Sequence, residues 1–255
     1  MDWGDLEREL DGWAQAGQAA TLWWRDDDAV TSTPELQRLL EIAGPLPLSL
    51  AVVPAQADAT LAGALRATDH VVALQHGFAH ANQAVPPNKK AEFGGGRDPA
   101  QAARELQAGS RRLRQLLGER ALPVLVPPWN RIDLILVGRL AELGIRGLST
   151  YGPRAAAATA GVVVVNTHVD IIDWHGARRF LGLDRCLQLA IGHLAARRQG
   201  RVDPNEPTGL LTHHLVHDAE AWSFLAAFSQ RTASHAAVRW MGARQLFGCG
   251  VERPA

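Results

Sequence analysis

The chain has 255 residues, of which 26 are basic, 26 are acidic and two are cysteines. Its zero formal net charge argues against a nucleic-acid partner and against a polybasic membrane anchor, because both need a basic surface. Two cysteines are too few for a disulfide framework or for a cysteine-rich zinc site. We therefore predict no nucleic-acid and no membrane partner, and we make no prediction of oligomeric state.

The first eight residues are acidic where a signal peptide would be basic, and no apolar stretch follows them. No run approaches the roughly 18 apolar residues that a membrane span requires. We expect a cytoplasmic protein with one domain over residues 1–255, because single α/β barrels commonly reach this length. In this interpretation, a helix in residues 1–20 precedes the barrel and helices in residues 218–255 end it.

Apolar spacing predicts helices and strands that alternate along the chain. The predicted helices cover residues 2–18, 34–43, 57–68, 98–117, 131–143, 184–198, 218–230 and 234–246. The predicted strands cover residues 21–24, 48–53, 71–74, 122–126, 145–148, 162–165 and 210–212. A polar loop separates the third strand from the next helix, over about residues 77–97. This alternation predicts an α/β fold with a parallel sheet, either a barrel or an open sheet.

Histidines and aspartates collect where the predicted strands end. They form four groups: Asp26–Asp28, His76 with His80, Asp170 with Asp173, and His213 with His214. In a parallel α/β barrel, the C-terminal ends of the strands share one face, and active sites form on that face. We therefore expect the four groups to converge on one pocket.

The spacing of His76 and His80 lets both imidazoles bind one metal ion. In a chain with ten histidines such a pair also arises by chance, as two solvated loop residues. A carboxylate from another strand end would complete a two-His, one-Asp set with open positions, which is typical of catalytic metal sites. Residues 26–28 are three adjacent aspartates that could cap a turn, but their mutual repulsion favours a bound cation. We predict one divalent ion, with zinc preferred and cobalt, nickel or manganese as alternatives.

In this order, the groups resemble the motifs of the polysaccharide deacetylase family, the NodB homology domain of carbohydrate esterase family 4. The resemblance covers about residues 21–218. The family's first motif, a strand that ends in T-F-D-D-G, is similar to residues 24–29, with Asp27 and Asp28 as the D-D pair. Asp26 stands directly before this pair, so the frame is open.

Three further motifs are recognisable. The motif H-[ST]-x-x-H resembles residues 76–80, with Gly77 in the place of the hydroxyl residue. The motif D-x-x-D-W is present whole at residues 170–174. The motif L-x-L-x-H resembles residues 211–213, and His214 offers a second frame for its histidine.

The remaining motif, R-x-P-[YF]-[GN], is matched only in part, at residues 126–131. Its leading arginine pairs with the catalytic aspartate in the family, and Val126 replaces it here. Arg25, Arg97 and Arg131 are the candidates to take its place, and the sequence does not choose among them.

The resemblance implies a single distorted (β/α)7-type barrel with parallel strands. It also implies a metal-dependent hydrolase that removes an acyl group, normally acetyl, from the amide nitrogen of an N-acylated sugar or a related compound. Asp27 would be the catalytic base, His213 the general acid, and the metal ligands would be Asp28, His76 and His80. The residues implied to contact substrate or to support the others are Pro128, Trp129, Asn130, Arg131, Asp170, Asp173, Trp174 and His214.

Two alternative functions stay open. A cytoplasmic chain has no obvious access to peptidoglycan or chitin, which favours a C–N hydrolase that acts on a small non-sugar amide. The missing arginine favours a non-catalytic member of the family that binds a glycan or a protein. The apparently complete base, ligand and acid set argues against this second alternative.

Overall fold

The computed structural model describes residues 1–66 and 68–249. The helices are α1 (Trp3–Gln15), α2 (Pro34–Ala43), α3 (Ala59–Ala64), α4 (Pro99–Leu117), α5 (Leu134–Val137), α6 (Leu183–Arg198), α7 (Ala219–Ser234) and α8 (Ala243–Leu246). The strands are β1 (Ala20–Ala29), β2 (Leu48–Val52), β3 (Val71–His76), β4 (Ala121–Val126), β5 (Gly147–Leu148), β6 (Ala158–Thr159), β7 (Val162–Val164), β8 (Val169–Asp170), β9 (Thr208–Thr212) and β10 (Val238–Trp240). Among these described residues, no helix is both long enough and apolar enough to cross a bilayer.

Side-chain caps followed by proline begin two of the helices. Thr33 accepts a hydrogen bond from the N–H of Leu36 at the start of α2, where Pro34 is the first helical residue. Asp98 caps α4 in the same way, ahead of Pro99. Proline suits this position because the first N–H of a helix has no partner within the helix. Both helix starts agree with the sequence prediction.

The strands form one sheet in the order β6-β7-β5-β4-β3-β2-β1-β9-β8, and β10 pairs with β1 outside this path. The pairing is parallel throughout except between β6 and β7. Although β7 and β8 stand near opposite ends of this order, only residues 165–168 separate them along the chain. The N–H of Thr167 donates to Thr150 O after β5 (3.0 Å), and the N–H of His168 donates to Gly209 O in β9 (2.7 Å).

Residues 162–170, which include β7 and β8, therefore form one extended segment that lies between β5 and β9. If β7 and β8 are counted as one strand, then β1 to β5, this segment and β9 make seven parallel strands. The distorted (β/α)7-type barrel predicted from the sequence is confirmed. Helices lie between most consecutive strands of the barrel, as is usual for parallel crossovers, whereas only the short strand β6 lies between β5 and β7.

Strand alternation sorts the side chains of β1 onto two faces. Leu22 and Trp24 belong to the large apolar cluster beneath the helices, whereas Trp23 belongs to a second cluster with residues of β2, β3 and β4. Because side chains alternate along a strand, Arg25 and Asp27 continue the face of Trp23. β1 thereby carries charged groups into the C-terminal end of the barrel.

Two predicted helices are wrong. The segment 131–143 contains only the four-residue helix α5, because Ile132 pairs with Phe93 and the helix begins only after Asp133. The segment 234–246 contains β10 and α8 instead of one helix. Its first half is extended because Val238 pairs with the start of β1, and tertiary pairing of this kind overrides local apolar spacing.

Candidate active site

Asp28, His76 and His80 converge at the C-terminal end of the barrel. Asp28 Oδ1 lies 3.2 Å from His76 Nε2 and 3.3 Å from His80 Nε2. The three possible ligand atoms all lie within 4.8 Å of one another. Asp28 Oδ1 is buried and has no hydrogen-bond partner among the described residues. This donor set, with its unpartnered buried oxygen, fits a divalent cation.

The backbone aims these side chains at one point. The pairing of β1 with β2 shifts between Asp26 and Ala29, and Asp28 has a φ of 73°. Such a bulge redirects the side chain of the extra residue. His76 Nδ1 lies 2.9 Å from Val126 O, so Nδ1–H donates to this carbonyl and Nε2 faces Asp28. A hydrogen bond from Nδ1–H to a carbonyl fixes the tautomer of the neutral ring in which Nε2 can bind a metal ion.

The charges of the site suit a cation. Burial opposes the charged form of Asp28, but the charges of the neighbouring His76, His213 and His80 outweigh it and hold the pKa of Asp28 below its usual range. Burial lowers the pKa of His80, which favours the neutral imidazole that binds metals. Burial would also lower the pKa of His76, but the nearby carboxylates of Asp27 and Asp28 raise it.

Asp27 points into the barrel and is held by Arg25. Arg25 Nε donates to Asp27 Oδ1 (2.8 Å) and Nη2 donates to Asp27 Oδ2 (3.0 Å), which makes a bidentate ion pair. The guanidinium is fully buried, and it also donates to Ser149 Oγ (2.7 Å) and Asn130 Oδ1 (2.8 Å). These additional bonds fix the arginine, so the carboxylate of Asp27 is held in one orientation.

Among the three arginines proposed to replace the missing one, Arg25 is the one that contacts Asp27. Arg131 Nη1 donates instead to Lys90 O (2.8 Å), at the surface. Arg97 Nη1 donates to the backbone carbonyl of Glu92 (2.8 Å). The signal in the sequence was the i, i+2 spacing of Arg25 and Asp27, which puts both side chains on one face of a strand.

Asp26 and His214 form a separate buried pair behind the site. Asp26 Oδ1 lies 2.5 Å from His214 Nδ1, and Asp26 Oδ2 accepts bonds from the N–H of His214 (3.1 Å) and from Thr212 Oγ1 (2.6 Å). His213 takes the opposite side, with Nε2 4.0 Å from Asp27 Oδ2. Of the competing frames, the structure brings Asp27 and His213 together and turns Asp26 and His214 away from them.

Two tryptophans border the site. The ring of Trp129 lies 4.5 Å from that of His80, and the ring of Trp174 meets that of His213 edge-on at 4.6 Å, between centroids. Trp174 Nε1 donates to Asp170 Oδ2 (2.8 Å). Burial raises the pKa of Asp170 above its usual value. Asp170 therefore orients the tryptophan that contacts His213.

The other predicted site residues have different positions. Asp173 Oδ1 accepts bonds from the N–H groups of His175 (3.2 Å) and Gly176 (2.9 Å), so it stabilises its own turn rather than His213. Pro128 is buried beside Gly77, where a Cβ would lie 2.7 Å from its ring. Arg131 is exposed next to the site.

Sequence analysis missed Glu92, which lies in the polar loop before α4. Its side chain is buried, and its two oxygens accept bonds from the N–H groups of Phe78 (3.1 Å) and Ala79 (2.8 Å). Phe78 and Ala79 stand between the two histidines of the site. A single glutamate in a polar loop carries no periodicity or motif, so nothing in the sequence marks it.

A second buried group, His168, His193 and Glu206, also has three possible ligand atoms within 4.8 Å. Its hydrogen bonds do not fit a metal ion. His168 Nδ1 accepts the N–H of Gly209 (3.0 Å), so the proton of the neutral ring is on Nε2, which faces Glu206 Oε2 at 3.4 Å. Burial lowers the pKa of His193 to about 2, so this ring is neutral as well. We interpret the group as polar packing.

Neither a protein-family model nor a curated protein matches the chain. Solved structures do match it. A candidate polysaccharide deacetylase from Mycobacterium smegmatis is 17% identical, with a TM-score of 0.65, over 93% of this chain and 95% of that one. A family 4 acetyl xylan esterase from Clostridium thermocellum, in complex with a cobalt ion, is 13% identical, with a TM-score of 0.52, over 90% and 91%.

A third similar structure is a mutant of a family 4 pseudoenzyme whose enzymatic activity is restored. It is 14% identical, with a TM-score of 0.59, over 90% of this chain and 68% of that one. At these identities the similarity shows a shared fold. The likeness to carbohydrate esterase family 4 that the sequence predicts is therefore confirmed for the fold.

Proposed function

We propose that the chain is a metal-dependent deacetylase that hydrolyses the amide of an N-acylated sugar or a related compound. The observation that carries this proposal is the convergence of three groups at one end of the barrel. They are the possible metal ligands around Asp28, the Arg25–Asp27 pair, and His213. The fold shared with solved esterases and deacetylases of family 4 supports the same chemistry.

Asp28, His76 and His80 would hold one divalent ion. We propose zinc, because two imidazoles and one carboxylate with open positions are typical of catalytic zinc, and cobalt in the Clostridium thermocellum esterase supports a divalent ion. When bound, such an ion polarises an acyl carbonyl and makes a water molecule more acidic. The unpartnered oxygen of Asp28 is the observation that favours a cation here.

Asp27 is proposed as the general base that accepts the proton of the attacking water. Its bidentate contact with Arg25 holds the carboxylate in a fixed orientation. His213, on the other side of Asp27, would donate a proton to the departing amine, which is otherwise a poor leaving group. Trp174 packs edge-on against His213 and would limit the rotation of its ring.

Substrate contacts are assigned to the rim of the site. Trp129 and Trp174 present partly exposed rings on either side of the catalytic groups, and such rings can stack on a sugar face or border an acyl group. Arg131 is exposed beside Trp129 and offers a donor to substrate oxygens. A cytoplasmic location, which is part of this proposal, would favour small N-acylated sugars over cell-wall polymers.

The argument for a non-catalytic protein depended on the missing arginine. Arg25 makes the contact to Asp27 that this arginine would make. Asp27 therefore has an arginine partner although Val126 replaces the arginine of the motif. The fold is compatible with both functions, since a pseudoenzyme is among the similar structures. An activity measurement therefore has to decide.

The test is acetate release from N-acetylglucosamine oligomers and from simple N-acetyl amines, with zinc-loaded protein. We expect Asp27→Asn to keep its metal content and to lose about 10²- to 10⁴-fold in kcat/KM, as loss of a general base does. The control is Asp69→Asn, because Asp69 is fully exposed and pairs with Arg120 away from the site. Wild-type protein that binds zinc but releases no acetate from any acylated amine would refute the proposed function.

A further inference from the structure

The segment between the two histidine ligands is packed too tightly for a side chain at residue 77. Gly77 has a φ of 62°, which favours glycine. A Cβ there would lie 2.0 Å from Glu92 Oε2 and 2.7 Å from the ring of Pro128. The backbone that joins His76 to His80 therefore rests directly on the carboxylate of Glu92.

This carboxylate satisfies two consecutive N–H groups of the same segment. Glu92 Oε2 accepts the N–H of Phe78 at 3.1 Å, and Oε1 accepts the N–H of Ala79 at 2.8 Å. Glu92 is only 1% exposed, so water competes little for these charge-assisted bonds. The next residue, His80, has a φ of 55°, a conformation that persists only where the surrounding structure enforces it.

Glu92 is itself held in place on both sides. Arg97 Nη1 donates to its backbone carbonyl (2.8 Å). The adjacent Phe93 is buried, and its carbonyl accepts the N–H of Asp133 (2.7 Å). A fixed backbone and a buried carboxylate make Glu92 a rigid support rather than a flexible surface side chain.

We infer that Glu92 is a positioning residue of the metal site, which holds the segment of Phe78 and Ala79 so that His80 faces His76 and Asp28. The inference rests on the proposed function for the identity of these ligands. Glu92 touches none of the ligand atoms and acts through the backbone. The family motif has a hydroxyl residue at position 77. In this chain the carboxylate of Glu92 fills the space of such a side chain and supports the loop in its place.

The first test is a titration of metal-free protein with Co²⁺, followed by its visible absorption. We expect Glu92→Gln and Glu92→Ala to raise the dissociation constant by about 10- to 100-fold, as loss of a supporting partner does in metal sites. The absorption spectrum should also change, since His80 would be displaced. The control is Glu142→Gln, because Glu142 is exposed, lies near Arg139 and contacts neither amide, and wild-type affinity is expected.

The second test is hydrogen exchange of the amides of Phe78 and Ala79 in metal-free protein. Both should exchange faster in Glu92→Gln than in wild type, a result that does not depend on any metal. Wild-type protein that binds no Co²⁺ would refute the proposed function. Wild type that binds Co²⁺, with Glu92→Gln binding it as tightly as Glu142→Gln and with unchanged exchange at these amides, would overturn the inference about Glu92 alone.

Discussion

Arg25 illustrates how a contact expected from one strand can come from another. At the end of β4, where the family pattern places an arginine, this chain has Val126, which packs in an apolar cluster inside the barrel. Arg25 reaches the same carboxylate from β1, two residues before Asp27. The sequence shows that Val126 replaces the arginine and that Arg25 stands two residues before Asp27. It does not show that Arg25 takes over the contact, because this depends on the direction of each side chain.

We predict that Arg25→Met is strongly destabilising. The substitution leaves Asp27 buried without its ionic partner, and breaking a buried pair on one side typically costs about 3–5 kcal/mol. Urea unfolding of the metal-free protein measures the loss. Arg139→Met is the matched control, since Arg139 is exposed and its carboxylate partner lies 4.0 Å away. Equal stabilities of the two variants would contradict the prediction.

A second residue-level prediction concerns Gly77. We expect Gly77→Ala to weaken Co²⁺ binding and to lower the free energy of unfolding by about 1–3 kcal/mol, because its Cβ would displace Glu92 and overpack the loop. Gly192→Ala in α6 is the control, with open space around its Cβ, and should be neutral or stabilising by about 0.5–1 kcal/mol. A Gly77→Ala protein with wild-type affinity would show that the loop can adapt.

At the scale of elements, apolar runs and caps predict most of the barrel. Helix starts with a cap and a proline are local signals, and β2, β3 and β4 are short apolar runs buried by the helices. β10 was missed because its extended form depends on pairing with the start of β1, more than 200 residues earlier in the chain. The bulge in β1 was missed for the same reason, so the sequence could not decide which of Asp26, Asp27 and Asp28 face the site.

The Asp26–His214 pair connects β1 to the chain that follows β9. Burial alone would lower the pKa of His214, but Asp26 raises it above its usual value. A raised pKa in the folded state means that the charged pair contributes most at pH below the unfolded pKa of 6.5, and that its contribution is lost as the pH rises through the folded pKa.

We therefore predict that His214→Gln costs more stability at pH 5.5 than at pH 9. The measurement is the free energy of unfolding of wild type and variant at both pH values, from urea titrations of metal-free protein. His175→Gln is the control, because His175 is exposed and should change stability little at either pH. A difference between wild type and His214→Gln that does not vary with pH would show that the pair is not charged.

At the scale of the whole molecule, the predicted convergence of the four groups depended only on barrel topology. The C-terminal strand ends of a parallel barrel share one face, so positions in the sequence were enough to place Asp27, His76 and His213 near one another. Glu92 could not be found in this way, because it reaches the site through the path of a long loop. Nor could sequence distinguish Asp170, which supports Trp174, from Asp173, which does not.

The same topology separates the two histidine groups of the barrel. His168 and His193 lie near the start of β9, where His193 Nδ1 is 2.9 Å from Thr208 Oγ1, whereas His213 follows the end of that strand. Among the described residues, the group at the C-terminal end is the one whose imidazole nitrogens face a carboxylate oxygen without a hydrogen-bond partner. We therefore expect one metal equivalent per chain, bound at Asp28, His76 and His80.

Metal should accordingly stabilise the whole fold through one site. A ligand at 100 times its dissociation constant adds about 2.7 kcal/mol to the free energy of unfolding, so zinc should raise the Tm of chelator-treated wild type. The double variant His76→Ala, His80→Ala should lose this increase completely, because its ligand set is broken. His193→Gln should keep the full increase, since its ring lies in the group that hydrogen bonding rules out as a metal site. If His193→Gln reduced the zinc-dependent increase in Tm, the buried group would be a second metal site and our reading of its protonation would be wrong.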